Sequence, residues 1–188
     1  MPQNGIESPN ITRTQLDVLA DIQTVWQHNV FWTYMYMQSS MFDSPNQFVI
    51  EEGILSLADA YGRLLGQYYG KGTKMMLEKD IEAFFKTYIQ YIEKLTQGEQ
   101  TAQSELHQQW KKVGMKLAQK LSDLNPYWGM PEWNAMILQQ IKMLDMEADN
   151  CLQGKYDSLG SSFELFSRLA TDMGNYMASG VIKQFGIS

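Results

Sequence analysis

Residues 26–37, Trp26-Gln27-His28-Asn29-Val30-Phe31-Trp32-Thr33-Tyr34-Met35-Tyr36-Met37, set five aromatic rings and two methionines around one histidine. The spacing of this stretch decides the fold. Continued backwards, Leu16, Leu19, Ile22, Trp26, Val30, Thr33 and Met37 recur at steps of three and four, the period of an amphipathic helix. Residues 30–37 are apolar almost all round, which suits the middle of a bundle better than its surface. His28 then has two readings. It is a neutral core histidine satisfied by one hydrogen bond, or one wall of an apolar pocket with a few polar groups. In the pocket reading the lining residues are His28, Trp32, Tyr34, Trp26 and Thr33, with Asn29 and Thr33 forming a polar i,i+4 pair nearby.

The same period runs through the rest of the chain. Ser44-Pro45-Asn46-Gln47 has the pattern of a helix start, with serine as cap, proline in the first turn and glutamine at the capping-box position. That second helix is expected to end near Gly70, and a third to run from Thr73 to Thr96 until Gly98 stops it. A fourth spans Thr101 to Leu124, where Asn125-Pro126 breaks it. A fifth starts at Met130-Pro131-Glu132 and ends near Gly154. The sixth begins near Asp157 or Ser161 (Ser161 and Glu164 make another capping-box pattern) and continues to Phe185. No alternating apolar run with hairpin glycines is present. The expectation is an all-α antiparallel bundle of about six helices in successive hairpins, residues 13–188 forming one domain after an extended or disordered 1–12.

Composition narrows the function classes. In 188 residues, 44% hydrophobic and 19% charged, the net charge is −6 and the pI about 4.9. An acidic chain lacks the basic patch that nucleic acid requires, and it is repelled by anionic lipid. No apolar run reaches the roughly 20 residues of a membrane-spanning helix, so no transmembrane segment is expected. No signal peptide is visible at the start, which makes cytoplasm the default compartment; a secreted mature form would read the same. Cys151 stands alone, without a cation nearby to activate it, and reads as an inert thiol.

Motifs that would carry chemistry fail on their spacing. Gly66-Gln67-Tyr68-Tyr69-Gly70-Lys71-Gly72-Thr73-Lys74 gathers phosphate-friendly residues, but its glycines miss P-loop register and a helix precedes it. A di-iron bundle needs Glu-x-x-His pairs. The two histidines, His28 and His107, both lack that glutamate. His107 is expected on a polar, solvated face. Thirteen methionines fill a core or line an adaptable groove more readily than they bind copper. No catalytic residue and no cofactor are expected.

Trp26-Gln27-His28 with Trp32-Thr33, Tyr69-Gly70, Trp110, Asn125-Pro126-Tyr127-Trp128 and Gly180-Val181-Ile182-Lys183-Gln184-Phe185 occur in this order. In these motifs the chain resembles a group of small bacterial all-helical proteins without an established activity. The likeness extends from about Leu16 to the end. It implies an all-α fold and further polar residues in the relatives, histidines among them, at positions falling here near Phe84, Gln140 and Leu169. Tyr34 replaces an arginine, and Val113-Gly114-Met115 an Asn-Ala-Asp stretch.

The function expected is a non-enzymatic helical bundle binding an apolar small molecule or a protein partner through an aromatic and methionine-lined interior. The alternatives are a metal-binding or redox bundle using His28 with Asp21 or Glu147, and a structural or assembly protein. Homo-oligomerisation is compatible with each.

Overall fold

The computed structural model describes residues 11–188, and among them every regular element is helical. The helices are α1 (Arg13–Met41), α2 (Gln47–Thr96), α3 (Gln100–Leu124), α4 (Met130–Leu152) and α5 (Leu159–Phe185), with a 3₁₀ turn at Tyr156–Ser158 before α5. Residues 1–10 of the segment expected to be extended or disordered lie outside the described residues. Thr12 is extended (φ −79°, ψ 164°) and caps α1 through a reciprocal capping box with Gln15.

Among the described residues five helices stand where about six were expected, because α2 is two helical arms that meet, with no loop between them, at Gly70. Its φ of +83° and ψ of 174° are closed to residues with a side chain, and they fold α2 back on itself without a connecting loop. The two arms, 47–69 and 71–96, lie against each other: a Cβ added to Gly62 would come within 2.8 Å of Glu78 Oε1, and one at Gly66 within 3.0 Å of Lys74 Cβ. Lys74 Nζ also reaches Asp59 Oδ1 at 3.5 Å. Sequence reading places the break correctly but expects a gap where one glycine suffices. Gly70→Ala is expected to lower stability by about 1–3 kcal/mol through backbone strain. Gly72→Ala, a helical position with nothing within 4 Å of the added carbon, should gain about 0.5–1 kcal/mol. Thermal melts of the two variants should move in opposite directions.

Two other boundaries shift. Ser44 does not cap α2; its hydroxyl donates to Asn46 Oδ1 (2.6 Å), and the helix starts at Gln47. Ser161 lies inside α5, its hydroxyl donating to the Ser158 carbonyl (2.9 Å) rather than capping.

One hydrophobic core draws on all five helices. α1 is central and packs most extensively on α5 and α2; α2 continues to α3, and α3 to α4. Trp26 stacks on Trp133 (6.0 Å, 18°) and meets Tyr61 edge-on (5.1 Å), which locks α1 to α4 and α2. Asp80, nearly buried on α2, is paired across α3 by Lys116 (3.3 Å) and Lys120.

The end of the bundle holding the Gly70 turn is closed by hydrogen bonds and rings. Asn125 Nδ2 donates to Tyr69 Oη (2.8 Å), and Tyr69 Oη donates to Gln184 Oε1 (2.8 Å). Asn125 Oδ1 accepts from the Tyr127 amide, making a side-chain turn before α4. Trp128 packs against Gly180 and donates to the Met177 carbonyl (3.2 Å), while Phe185 meets Tyr69 edge-on at 5.2 Å. The Tyr69-Gly70, Asn125-to-Trp128 and Gly180-to-Phe185 motifs are therefore parts of one structural latch.

Candidate functional site

Inside the bundle, a cavity of about 30 Å³ lies among Trp26, Asn29, Tyr61, Phe84, Gln140 and Met177, with other apolar side chains around them. Its polar side is a short chain of hydrogen bonds. Gln140 Nε2 donates to Asn29 Oδ1 (3.3 Å), and Asn29 Nδ2 donates to Tyr61 Oη (3.4 Å). Burial pushes the Tyr61 hydroxyl well above its usual range, against the lowering effect of Asn29. Trp26 Nε1 is buried without a protein acceptor. The volume suits about one water molecule; an apolar cavity that takes benzene needs about 150 Å³.

The structure disperses the five residues proposed as a pocket. Trp26 alone lines the cavity. Thr33 is buried, but its hydroxyl is spent on the Asn29 carbonyl of its own helix (2.6 Å). Tyr34 is half-buried between α1 and the start of α5, donating to the Leu159 carbonyl (3.0 Å) and facing Phe163 at 5.3 Å. Trp32 is half-buried against α2, where a Cβ at Gly53 would stand 2.6 Å from its Cδ2 and nearer still to the six-membered ring's edge. His28 is exposed and is neither a core histidine nor a cavity wall. The polar cavity residues Asn29, Tyr61 and Gln140 fell outside the predicted set. Their signal is a polar side chain on an otherwise apolar stripe: Gln140 sits between Ile137 and Ile141.

The outer face of α1 departs most from expectation. Residues 30–37 read as buried all round, yet Phe31 (47% exposed) and Met35 (37%) point outward on one stripe with His28. Phe31 packs edge-on against Trp32 (5.0 Å), Trp32 covers Gly53, and Val49 (60% exposed) lies one turn before Gly53 with Phe48 (69%) beside it. Towards the loop, exposed Phe42 meets Tyr156 at 5.7 Å. A continuous apolar strip thus crosses from α1 to the start of α2. Lone exposed apolar residues are ordinary; a run of them on adjacent helices marks a binding face.

Two clusters hold the remaining chemistry. Glu147, 2% exposed, has neither carboxylate oxygen hydrogen-bonded, with Tyr34 and Cys151 beside it. Burial pushes the Cys151 thiol up, the Gln38 amide (3.4 Å from Sγ) opposes that, and Glu147 adds to it. The thiol is accordingly a poor nucleophile. His107 corrects the solvated-face expectation: it is half-buried, its ring 5.5 Å from Tyr91 and its Nε2 3.7 Å from Asp145 Oδ2. Tyr91 also donates to Asp145. Among the described residues no three His, Cys, Asp or Glu side chains converge to hold a metal ion.

Burial lowers the His107 pKa below 6.5; Asp145 opposes this and Lys111 assists it. The unfolded chain therefore takes up the proton first as pH falls, so this histidine's contribution is full above pH 6.5 and declines below it. His107→Gln should reduce the loss of melting temperature between about pH 7.5 and about pH 5, measured against the wild type.

No protein-family model, no curated protein and no solved structure matches the chain.

Proposed function

We propose that the chain is a non-enzymatic docking module that binds a protein partner on the outer face of α1 and the first turns of α2. The observation that carries this reading is the strip of exposed Phe31, Met35, Val49 and Phe48 with half-buried Trp32 between them, placed where an amphipathic helix ordinarily presents polar residues. Of the two ligand types compatible with the sequence, the cavity volume disfavours an interior small molecule. The strip favours a macromolecular surface. Methionine and aromatic side chains make such surfaces adaptable at low ordering cost. His28 and Trp32 belong to this face, and Tyr34 to the α5 side of it.

The test uses fluorescence anisotropy with a panel of labelled amphipathic helical peptides that share one leucine face and differ in the charge of the other. At least one peptide should bind, and Val49→Glu should weaken it at least about tenfold by placing a charge in the contact. Val49 is exposed, so the variant should melt as the wild type does. Absence of binding by every peptide, or binding indifferent to Val49→Glu, overturns the reading.

A further inference from the structure

We infer that the occupant of this face is a basic amphipathic helix supplied by a partner protein; the inference rests on the docking reading above. The argument is the charge pattern around the apolar strip. Residues 14–62, which form nearly all of α1, the following loop and the first turns of α2, contain no lysine or arginine. They carry Asp17, Asp21, Asp43, Glu51, Glu52 and Asp59. Asp59 is paired with Arg63 and Lys74, but among the described residues the other five make no ion pair.

Their placement follows the strip. Asp17 and Asp21 are exposed on the stripe of α1 that continues through His28, Phe31 and Met35. Asp43 is exposed in the loop beside Phe42, and Glu52 is exposed one turn after Val49 and Phe48. The flanking α5 brings Arg168, which stands between Glu164 and Asp172 one turn away on either side, and Lys155 lies next to Tyr156. Asp43 and Glu52 thus flank the apolar strip itself, and Asp17 and Asp21 continue its stripe along α1, with Arg13 one turn beyond them at the helix start.

This arrangement selects among occupants. A second copy docking through the same face about a twofold axis would bring carboxylates against carboxylates. An anionic membrane would meet the same repulsion. A helix with one apolar face and lysines or arginines along its edges satisfies both parts of the surface. From Asp17 to Met41, α1 offers about 36 Å, enough to seat a partner helix of about 20 residues.

Three 20-residue peptides with a common leucine face and a lysine, glutamine or glutamate polar face are titrated against the full chain at low salt and at about 0.5 M salt. The lysine peptide should bind at least about tenfold tighter than the glutamine peptide at low salt and lose most of that advantage at high salt. Asp21→Lys with Glu52→Lys should remove the lysine peptide's advantage over the glutamine peptide. Equal binding of the glutamine or glutamate peptide overturns the basic partner but leaves the docking face standing. If Val49→Glu changes no titration, the docking face fails as well. A protein dimer by light scattering that Val49→Glu dissociates, or wild-type binding to phosphatidylserine vesicles that it abolishes, overturns the inference in favour of those occupants.

Discussion

Gly180→Ala lowers the melting temperature by roughly 6–12 °C, the equivalent of about 3 kcal/mol in a chain of this size. A Cβ at this position would fall inside the Trp128 indole, 2.9 Å from Cε2 and nearer still to the pyrrole edge. Trp128 is 1% exposed, so the ring has no solvent to move into. Any shift breaks its bond to the Met177 carbonyl and disturbs its edge contact with Trp133 (5.9 Å, 88°). Trp133 in turn stacks on Trp26, so the disturbance reaches the cavity wall. Gly160→Ala on the same helix is the control, because nothing lies within 4 Å of its added carbon. A melt in which both variants behave alike would show that Trp128 is not held as described.

The latch explains which parts of this protein are legible in its sequence. Helix spacing is local, and a step of three or four residues survives in any context that buries one face. That is why Ile22, Trp26, Val30, Thr33 and Met37 are buried as expected, whereas Leu16 and Leu19, at the start of the same stripe, are exposed and half-buried because the helix end extends past its neighbours' cover. Starts and stops are less legible. Thr12 and Gln15 form a true capping box, whereas the similar pattern at Ser44 is diverted to Asn46 by a two-residue contact. Long-range meetings are not legible at all: Tyr69, Asn125 and Gln184 are distant in the chain and meet only because α2 folds back at Gly70.

The binding face was illegible for a different reason. Periodicity distinguishes a buried stripe from a polar one, but residues 30–37 are apolar on every side and give no direction. Only the position of α1 between α5 and α2 leaves Phe31 and Met35 uncovered. His28 follows the same logic: its aromatic neighbours in sequence include residues that point to opposite sides of the helix. The acidic edge, by contrast, is visible in the sequence as 49 consecutive residues without a cation, and it gains meaning once the apolar strip is placed beside it.

Glu147→Met should stabilise the protein by about 1–4 kcal/mol, the second large effect expected of a single substitution. Glu147 faces the core on α4, 2% exposed, and neither carboxylate oxygen has a hydrogen-bond partner. The Tyr34 hydroxyl lies close enough to Glu147 for the carboxylate to favour its neutral form, but it donates to the Leu159 carbonyl, and the Gln38 amide donates to Cys151 Sγ. A buried carboxylate in such surroundings costs several kcal/mol that methionine, of similar volume and without polar oxygens, avoids. Burial first, then the Glu147 charge, also raises the Tyr34 pKa well above the usual tyrosine range. Removing that charge should bring the Tyr34 titration down, which ultraviolet difference spectra at alkaline pH would register. A variant that melts lower than wild type would mean that the carboxylate is engaged by a cation or a donor in solution. In that event the junction of α1, α4 and α5, and not the outer face of α1, becomes the first place to look for a ligand.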